Sequence, residues 1–447
     1  MTGIVIKVDP VQGGGYYACS VEAPFEVVDG NRVSLVTLDE VLGLYGPDVV
    51  RKVGEGLALK LRENQIVDHV LNLVLAHPMA PPSRPIAFRI GDPTAHALSW
   101  EAFVGNNQFL ALDGRWPIIR IPRGGNVKTG ARRPFAPPLR LVCVLSALGR
   151  PAIEEWNGIY QAVQDARANG LPVKVWLFAG EEVEVLDVVR GLGDPDVTLL
   201  PVPDQGGKLI DAVEKLQPHL VHFFCHGTVA NRVRRLEIGS VNDFDQDSSR
   251  SSVVVLVEEL GVAMWRAATW GVVLNTCRGA DASEEGLTHA EDLVNKGVPF
   301  AVGMRRQVDA EDAFAFSAAF YPLAMLSIAS AWQGATGERH INWADTLLQA
   351  RRSLRDMHGA NADLNDAWTL PVLYTRPGDF ALRVADTPHT DRAPLPPAPQ
   401  PVPGPSPIAV ERAAVETLGE EEVVGGLVAL IAAEASPALA AELRHLI

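Results

Sequence analysis

Apolar and polar positions follow a repeating two-part pattern from about residue 139 onward. Short apolar runs rich in β-forming residues alternate there with stretches whose apolar residues recur every three or four positions. The runs predict buried strands at 141–145, 173–178, 197–202, 298–302 and 371–375. The periodic stretches predict helices at 153–168, 182–190, 208–217, 288–296 and 343–357. This alternation is typical of an α/β domain with a mostly parallel sheet and helices on both faces.

The first 130 residues show a less regular mixture of strand-like and helical pieces. Residues 50–74 carry apolar side chains at helical spacing, whereas 86–90 and 117–121 alternate as half-buried strands do. Residues 123–138 are rich in glycine, proline and basic side chains, so we interpret them as a linker or mobile loop. We therefore predict an accessory α+β region over 1–130 and the main α/β domain over 139–385.

The C-terminal part has the composition of a spacer followed by a tail. Residues 387–407 hold nine prolines among 21 residues, which predicts an extended linker. Residues 408–447 predict one or two helices. Their apolar residues form a stripe with two alternative roles, and both stay open. The stripe binds a partner, which is an activator, a substrate or a second copy, or it packs on the chain's own main domain. The stripe consists of Leu418, Val423, Val424, Leu427, Leu430 and Ile431.

One stretch, residues 313–332, is close to the minimum length of a membrane span and contains no charged residue. Serines, many alanines and Pro322 make it only weakly apolar. We interpret it as a buried helix of the α/β domain and expect no association with a membrane.

Charge and cysteine content narrow the class of protein. The chain has 39 basic and 54 acidic residues, a net charge of −15, which argues against nucleic acid or anionic membranes as general partners. Its four cysteines show no pairing motif, so neither a disulfide framework nor a zinc site is predicted, and we expect no cofactor. Residues 1–10 lack the pattern of a signal peptide. We expect a cytoplasmic protein with reduced thiols.

Two of the apolar runs stop abruptly at a reactive side chain. Residues 220–225 are followed by His226 and Gly227, and residues 270–276 are followed by Cys277. Buried parallel strands deliver side chains to the rim of a sheet in this way. Because a free thiol has a pKa of about 8.5, an imidazole facing it would raise the fraction of nucleophilic thiolate. Cys143 and Cys225 lie inside apolar runs and are interpreted as core residues.

The spacing of these two residues resembles that of caspases. His226 and Cys277 are 51 positions apart, and residues 277–279 (Cys-Arg-Gly) fit part of the caspase signature. Together with 295–304 and 371–374, the pattern resembles the CHAT domain, a caspase-like family found in bacteria and, through separase, in eukaryotes. The resemblance extends over roughly residues 86–382.

The resemblance implies a caspase-like cysteine endopeptidase that cleaves a protein substrate in a bacterial signalling or defence pathway. It implies that Cys277 is the nucleophile and His226 the general acid and base. The backbone amides of Gly227 and Cys277 would then bind the oxyanion, a contact worth about 3 to 4 kcal/mol. His222 falls on the same strand face as His226, but a structural role is the better interpretation of it.

The sequence leaves two questions open, the substrate specificity and the overall function. Two residues before the cysteine, caspases carry glutamine and metacaspases aspartate, whereas this sequence carries the neutral Asn275. Asn275 and Asp281 are candidate residues of the substrate pocket. A non-catalytic interaction module with a caspase-like sheet is the alternative function. A nucleotide-binding protein is disfavoured because neither GxxxxGK[ST] nor a GxGxxG after a strand is present.

Overall fold

A computed structural model provides the fold of the chain. It describes residues 4–11, 16–22, 34–42, 44, 49–76, 85–123, 131–146, 149–181, 183–231, 233–240, 253–276, 286–306, 308–333, 337–359 and 361–384. Residues 1–388 belong to one compact unit. The predicted linker at 387–407 and the predicted tail at 408–447 lie outside the described residues.

The described strands and helices follow the chain in this order. The strands are β1 (Ile4–Pro10), β2 (Tyr16–Glu22), β3 (Ser34–Thr37), β4 (Ile86–Ile90), β5 (Val104–Gly105), β6 (Gln108–Phe109), β7 (Ile118–Arg120), β8 (Ala131–Phe135), β9 (Leu139–Leu145), β10 (Val173–Ala179), β11 (Val197–Pro201), β12 (Leu220–Ala230), β13 (Val233–Ile238), β14 (Val253–Leu256), β15 (Gly271–Thr276), β16 (Phe300–Met304), β17 (Gly337–Ile341), β18 (Pro371–Thr375) and β19 (Phe380–Val384). The helices are α1 (Asp39–Leu42), α2 (Val50–Arg62), α3 (Gln65–Ala76), α4 (Pro93–His96), α5 (Leu110–Asp113), α6 (Ile153–Ala168), α7 (Val183–Gly191), α8 (Gly206–Lys215), α9 (Val257–Arg266), α10 (Gly286–Lys296), α11 (Ala310–Gln333) and α12 (Trp343–Met357).

A large sheet runs through the described unit. Its strand order is β11-β10-β9-β12-β15-β16-β18-β7-β4-β1-β2-β3, and β13 and β14 extend from β12. The first six strands are mutually parallel. The next strand, β18, is antiparallel to β16, and β7, β4 and β1 follow the direction of β18. The first six strands therefore place their carboxyl ends at one edge of the sheet.

Helices cover this sheet on both faces, as an α/β fold requires. On β12, Leu220 and Phe224 belong to a core cluster with α6 and α11, whereas Val221, Phe223 and Cys225 belong to a second cluster with α8, α9 and α10. A strand buried on both faces has no polar alternation, which explains the continuous apolar runs in the sequence. The predicted α/β class with a mostly parallel main sheet is confirmed.

The N-terminal strands continue the same sheet. β1, β4 and β7 join it through the pairing of β7 with β18. Strand pairing therefore connects residues 1–130 with residues 139–385, and the boundary between the two ranges stays a prediction.

The alternation expected at 117–121 was wrong, because both faces of β7 are buried. Arg120 is 1% exposed and Glu101 0%. Arg120 donates to both Glu101 carboxylate oxygens, at 2.9 and 2.7 Å.

Part of the predicted linker is a strand. Residues 131–135 form β8, which pairs in parallel with β19, and β19 pairs with β17 in a three-stranded sheet. The prediction of a loop was wrong there because the partner strand lies far along the chain and leaves no local signal. The region 228–266, between the two candidate residues, contains the strands β13 and β14 and also the helix α9, which the sequence analysis did not predict.

The apolar stretch 313–332 lies in α11. By length and composition α11 is the one described helix that would pass for a membrane span, and half of its most apolar window is buried inside the fold. It packs on α6 and α12, and Phe316, Phe320 and Tyr321 are among its buried side chains. The structure therefore shows α11 as a core helix.

Two consecutive glycines at the start of α8 differ sharply in their surroundings. A Cβ atom on Gly206 would lie 1.8 Å from the backbone oxygen of Val254 in β14, whereas a Cβ on Gly207 would meet nothing within 4 Å. We expect Gly206→Ala to lower the free energy of unfolding, because backbone must move. Gly207→Ala should instead raise it by up to about 1 kcal/mol. Urea denaturation of both variants measures the difference, and equal midpoints would contradict the close approach of α8 and β14.

Candidate active site

His226 lies where β12 leaves the main sheet. β12 pairs with β9 as far as Phe224 and with β15 as far as Cys225. From His226 onward it pairs instead with β13. His226 is therefore at the carboxyl edge of the parallel strands, and its side chain is partly exposed. Open α/β sheets bind their ligands at this edge.

The neighbouring strand β15 ends beside this point. Its last residue, Thr276, is the register partner of Cys225. A Cβ atom on Gly227 would lie 3.5 Å from the Thr276 methyl carbon, so Gly227 contacts the end of β15. Two of the predicted site residues, Cys277 and Asp281, lie outside the described residues. The structure thus brings together His226, Gly227 and the strand end that leads to Cys277.

A hairpin strand carries a carboxylate opposite His226. Glu237 in β13 is the register partner of His226. Its Oε1 atom accepts a hydrogen bond of 2.9 Å from the hydroxyl of Thr228. Further along the same edge, Ser146 after β9 donates to Glu181 at 2.8 Å and accepts from the amide of Gly239 at 2.6 Å. These contacts fix the loops that surround the strand ends.

Asn275, a predicted pocket residue, is completely buried. Its side-chain amide donates to Glu155 Oε1 at 3.0 Å and to the backbone oxygen of Ala313 at 2.8 Å. These partners belong to α6 and α11, which cover the sheet. A contact between Asn275 and a substrate stays a prediction, and the buried position of the side chain does not favour it.

His222 is also fully buried and has an acidic neighbour that the sequence analysis missed. Its Nε2 atom lies 2.8 Å from Glu155 Oε1, although the ring is not aligned for a hydrogen bond. The structural role predicted for His222 agrees with this position. Glu155 falls on the apolar stripe of the helix predicted at 153–168. A charged residue on an apolar stripe indicates a buried polar contact, and this was the signal in the sequence that could have identified Glu155.

The described cysteines are poor nucleophiles. Cys19, Cys143 and Cys225 are each 0% exposed, and none forms a disulfide. Burial raises the pKa of Cys19 to about 12. Burial, with a smaller effect of the Glu155 carboxylate, raises the pKa of Cys143 as well. Cys19 and Cys143 therefore stay protonated at neutral pH, and all three buried thiols are inaccessible to a substrate.

No metal centre occurs among the residues that the structure describes, since no three His, Cys, Asp or Glu side chains there are grouped to hold an ion. The residues described at the strand ends offer the imidazole of His226 and neighbouring backbone amides.

Comparisons with known proteins give one family. The family model of the CHAT domain matches residues 64–337. No curated protein matches the sequence. Among solved structures, the chain is similar to one in the crystal structure of the Saccharomyces cerevisiae separase–securin complex. The two share 11% identity at a TM-score of 0.32, over 80% of this chain and 22% of that chain. The chain thus spans about a fifth of the length of that protein, and a likeness of this size does not by itself establish a shared fold.

Proposed function

This chain belongs to the CHAT domain family, and on that premise we propose that it is a cysteine endopeptidase with Cys277 as nucleophile and His226 as general acid and base. The substrate is a polypeptide. The resemblance to caspase-like proteins supports a place in bacterial signalling or defence. A thiol nucleophile stays reduced in the cytosol, and we propose that the protein acts there.

The register between β12 and β15 carries this proposal. Cys225 and Thr276 are paired, so His226 lies beside the end of β15, and Cys277 is the next residue in the sequence after that end. Side chains alternate along a strand. On β15, Val273 and Asn275 point to the face of α6 and α11, which is also the face of His222 and His226 on β12. The two strands therefore alternate in step up to the edge at which His226 follows one of them and the sequence continues to Cys277 from the other.

The burial of the other thiols supports the choice of nucleophile. The sequence contains four cysteines, and the three described ones are enclosed in the protein. A nucleophile must reach its substrate, which removes Cys19, Cys143 and Cys225 from consideration. Cys277 is the remaining candidate.

In the proposed reaction, the Cys277 thiolate attacks the scissile carbonyl carbon and forms a tetrahedral oxyanion. Backbone amides of Gly227 and Cys277 stabilise that oxyanion. The carbon–nitrogen bond then breaks, and the His226 imidazolium gives its proton to the leaving amine. Water, deprotonated by the neutral imidazole, hydrolyses the thioester and returns a carboxylate and the free thiol.

Alkylation of the native chain tests this function. We expect iodoacetamide to modify Cys277 well before the other three cysteines, because those are buried, and all four to react in urea. Mass mapping of peptides identifies the modified residue. Cleavage of a peptide library by the full chain should fall in proportion to the fraction of Cys277 alkylated.

Two results would remove the assignment. Cleavage that persists after complete alkylation of Cys277 would exclude it as the nucleophile. A native chain that cleaves no library member, with a Cys277 no more reactive than a free thiol, would favour the non-catalytic interaction module.

A further inference from the structure

A buried polar cluster lies beneath the candidate site, on the sheet face that α6 and α11 cover. Its members are Glu155, His222, Asn275 and Ser317, and each is 0% exposed. None of them is used by the reaction proposed above. We define these four residues as the buried cluster.

One atom, Oε1 of Glu155, is the common point of the buried cluster. It lies 2.8 Å from His222 Nε2, accepts from Asn275 Nδ2 at 3.0 Å and accepts from Ser317 Oγ at 2.5 Å. Asn275 also donates to the backbone oxygen of Ala313. A single carboxylate on α6 therefore joins β12, β15 and α11.

Stability alone does not explain the buried cluster. Within the buried cluster, Glu155 Oε2, Asn275 Oδ1 and both ring nitrogens of His222 have no hydrogen-bond partner, and buried polar atoms without partners cost free energy. Well-packed apolar side chains in place of a buried ionic cluster are often neutral or stabilising. The cluster thus carries a cost that an apolar core would avoid.

The placement of the buried cluster points to what it does. His222 precedes His226 by four residues on β12, and Asn275 precedes Cys277 by two on β15. Because Phe224 pairs with Asn275, His222 and Asn275 are diagonal neighbours on adjacent strands. Glu155 thus contacts both strands just before each one reaches the carboxyl edge of the sheet.

We propose that Glu155 is a positioning residue of the peptidase. Its carboxylate holds β12 and β15 in a fixed relation, and with them the strand that carries His226 and the strand end that precedes Cys277. This role rests on the proposed function. The partners through which it acts are His222 on one strand and Asn275 on the other.

Glu155→Gln tests the role because it keeps the size of the side chain and removes its charge. An error of about 1 Å in the placement of reacting groups can cost about 10²-fold in rate. We therefore expect a loss in kcat of about that size on a library peptide, with KM changed less than about threefold. Alkylation of Cys277 should also need a higher pH, since the thiolate loses its imidazole partner.

Glu154→Gln is the matched control. Glu154 is the preceding residue in the same helix, α6, and is exposed. The same chemical change there should leave kcat, KM and the pH profile of alkylation unaltered. A merely structural role of Glu155 would lower the melting temperature without moving that pH profile.

A second pair of variants covers the case in which Glu155→Gln does not fold. His222→Gln retains a polar side chain that can contact the Glu155 carboxylate, whereas His222→Leu removes the polar contact at similar volume. We expect His222→Gln to keep most of the wild-type kcat. We expect His222→Leu to lower kcat about tenfold or more, because a rise of one unit in the pKa of the thiol lowers the thiolate fraction about tenfold.

The outcomes separate the two proposals. Failure of the proposed function appears in the unaltered chain, as absent cleavage and an unreactive Cys277. Folded Glu155→Gln with the kinetics and alkylation profile of Glu154→Gln would overturn the positioning role and leave the peptidase in place. Equal rates for the two His222 variants would overturn it as well.

Discussion

Cys277→Ala should abolish peptide cleavage by this chain while leaving the fold intact. Alanine has no sulfur to form the thioester, and removal of the nucleophile of a hydrolase that uses a similar mechanism costs on the order of 10⁶-fold in kcat. Cleavage of the best library peptide, measured against the wild-type chain at equal concentration, gives the loss. Circular dichroism should show unchanged secondary structure, because the substitution changes none of the described core residues.

Cys225→Ala provides the matched control for this loss. Cys225 lies on the adjacent strand, one position before His226, and its side chain is fully buried in the second core cluster. The variant should lose some stability through the smaller side chain but should keep cleavage activity. Cleavage retained by Cys277→Ala, or abolished equally by both substitutions, would contradict Cys277 as nucleophile.

Arg120→Leu should lower the free energy of unfolding by about 3 to 5 kcal/mol, because it leaves the Glu101 carboxylate buried without its charge partner. Glu101 is 0% exposed. Arg120 also donates to the backbone oxygens of His96 and Leu98, at 2.6 and 3.0 Å, so two further acceptors lose their donor. Urea denaturation followed by tryptophan fluorescence measures the change.

Arg115→Leu is the control for the Arg120 substitution. Arg115 pairs with Asp113 at 2.6 Å, but its side chain is 42% exposed, so this pair should contribute no more than about 1 kcal/mol. Adding Glu101→Leu to Arg120→Leu should recover part of the loss, since the unpaired buried charge is then removed. A loss for Arg120→Leu no larger than that for Arg115→Leu would contradict the burial of the pair.

Elements with strong local periodicity were predictable from the sequence. The helices at 153–168 and 343–357 and the strand at 371–375 have the predicted bounds, because their apolar spacing begins and ends sharply. The largely helical stretch expected at 50–74 consists of two helices, α2 and α3, which are separated at residues 63 and 64. Strand order was not predictable, because the neighbours β9, β12 and β15 come from distant parts of the chain.

The candidate site was predictable only in part. His226 could be recognised because an apolar run stops there. Glu155 could have been recognised too, since it lies with Trp156 and Ile159 on the buried face of α6. Outside the site, the buried Arg120–Glu101 pair could not be recognised, because Glu101 belongs to a short helical turn with no recognisable motif.

The reversal of strand direction at β18 has a practical consequence for dissecting the chain. β18 pairs with β16 on one side and with β7 on the other. A fragment that begins at residue 139 would lack β7, and the backbone amides and carbonyls of β18 on that side would face solvent beside apolar side chains. Such exposed edges template aggregation. The N-terminal strands therefore act as a cap for the half of the molecule that carries His226, and both halves are best expressed together.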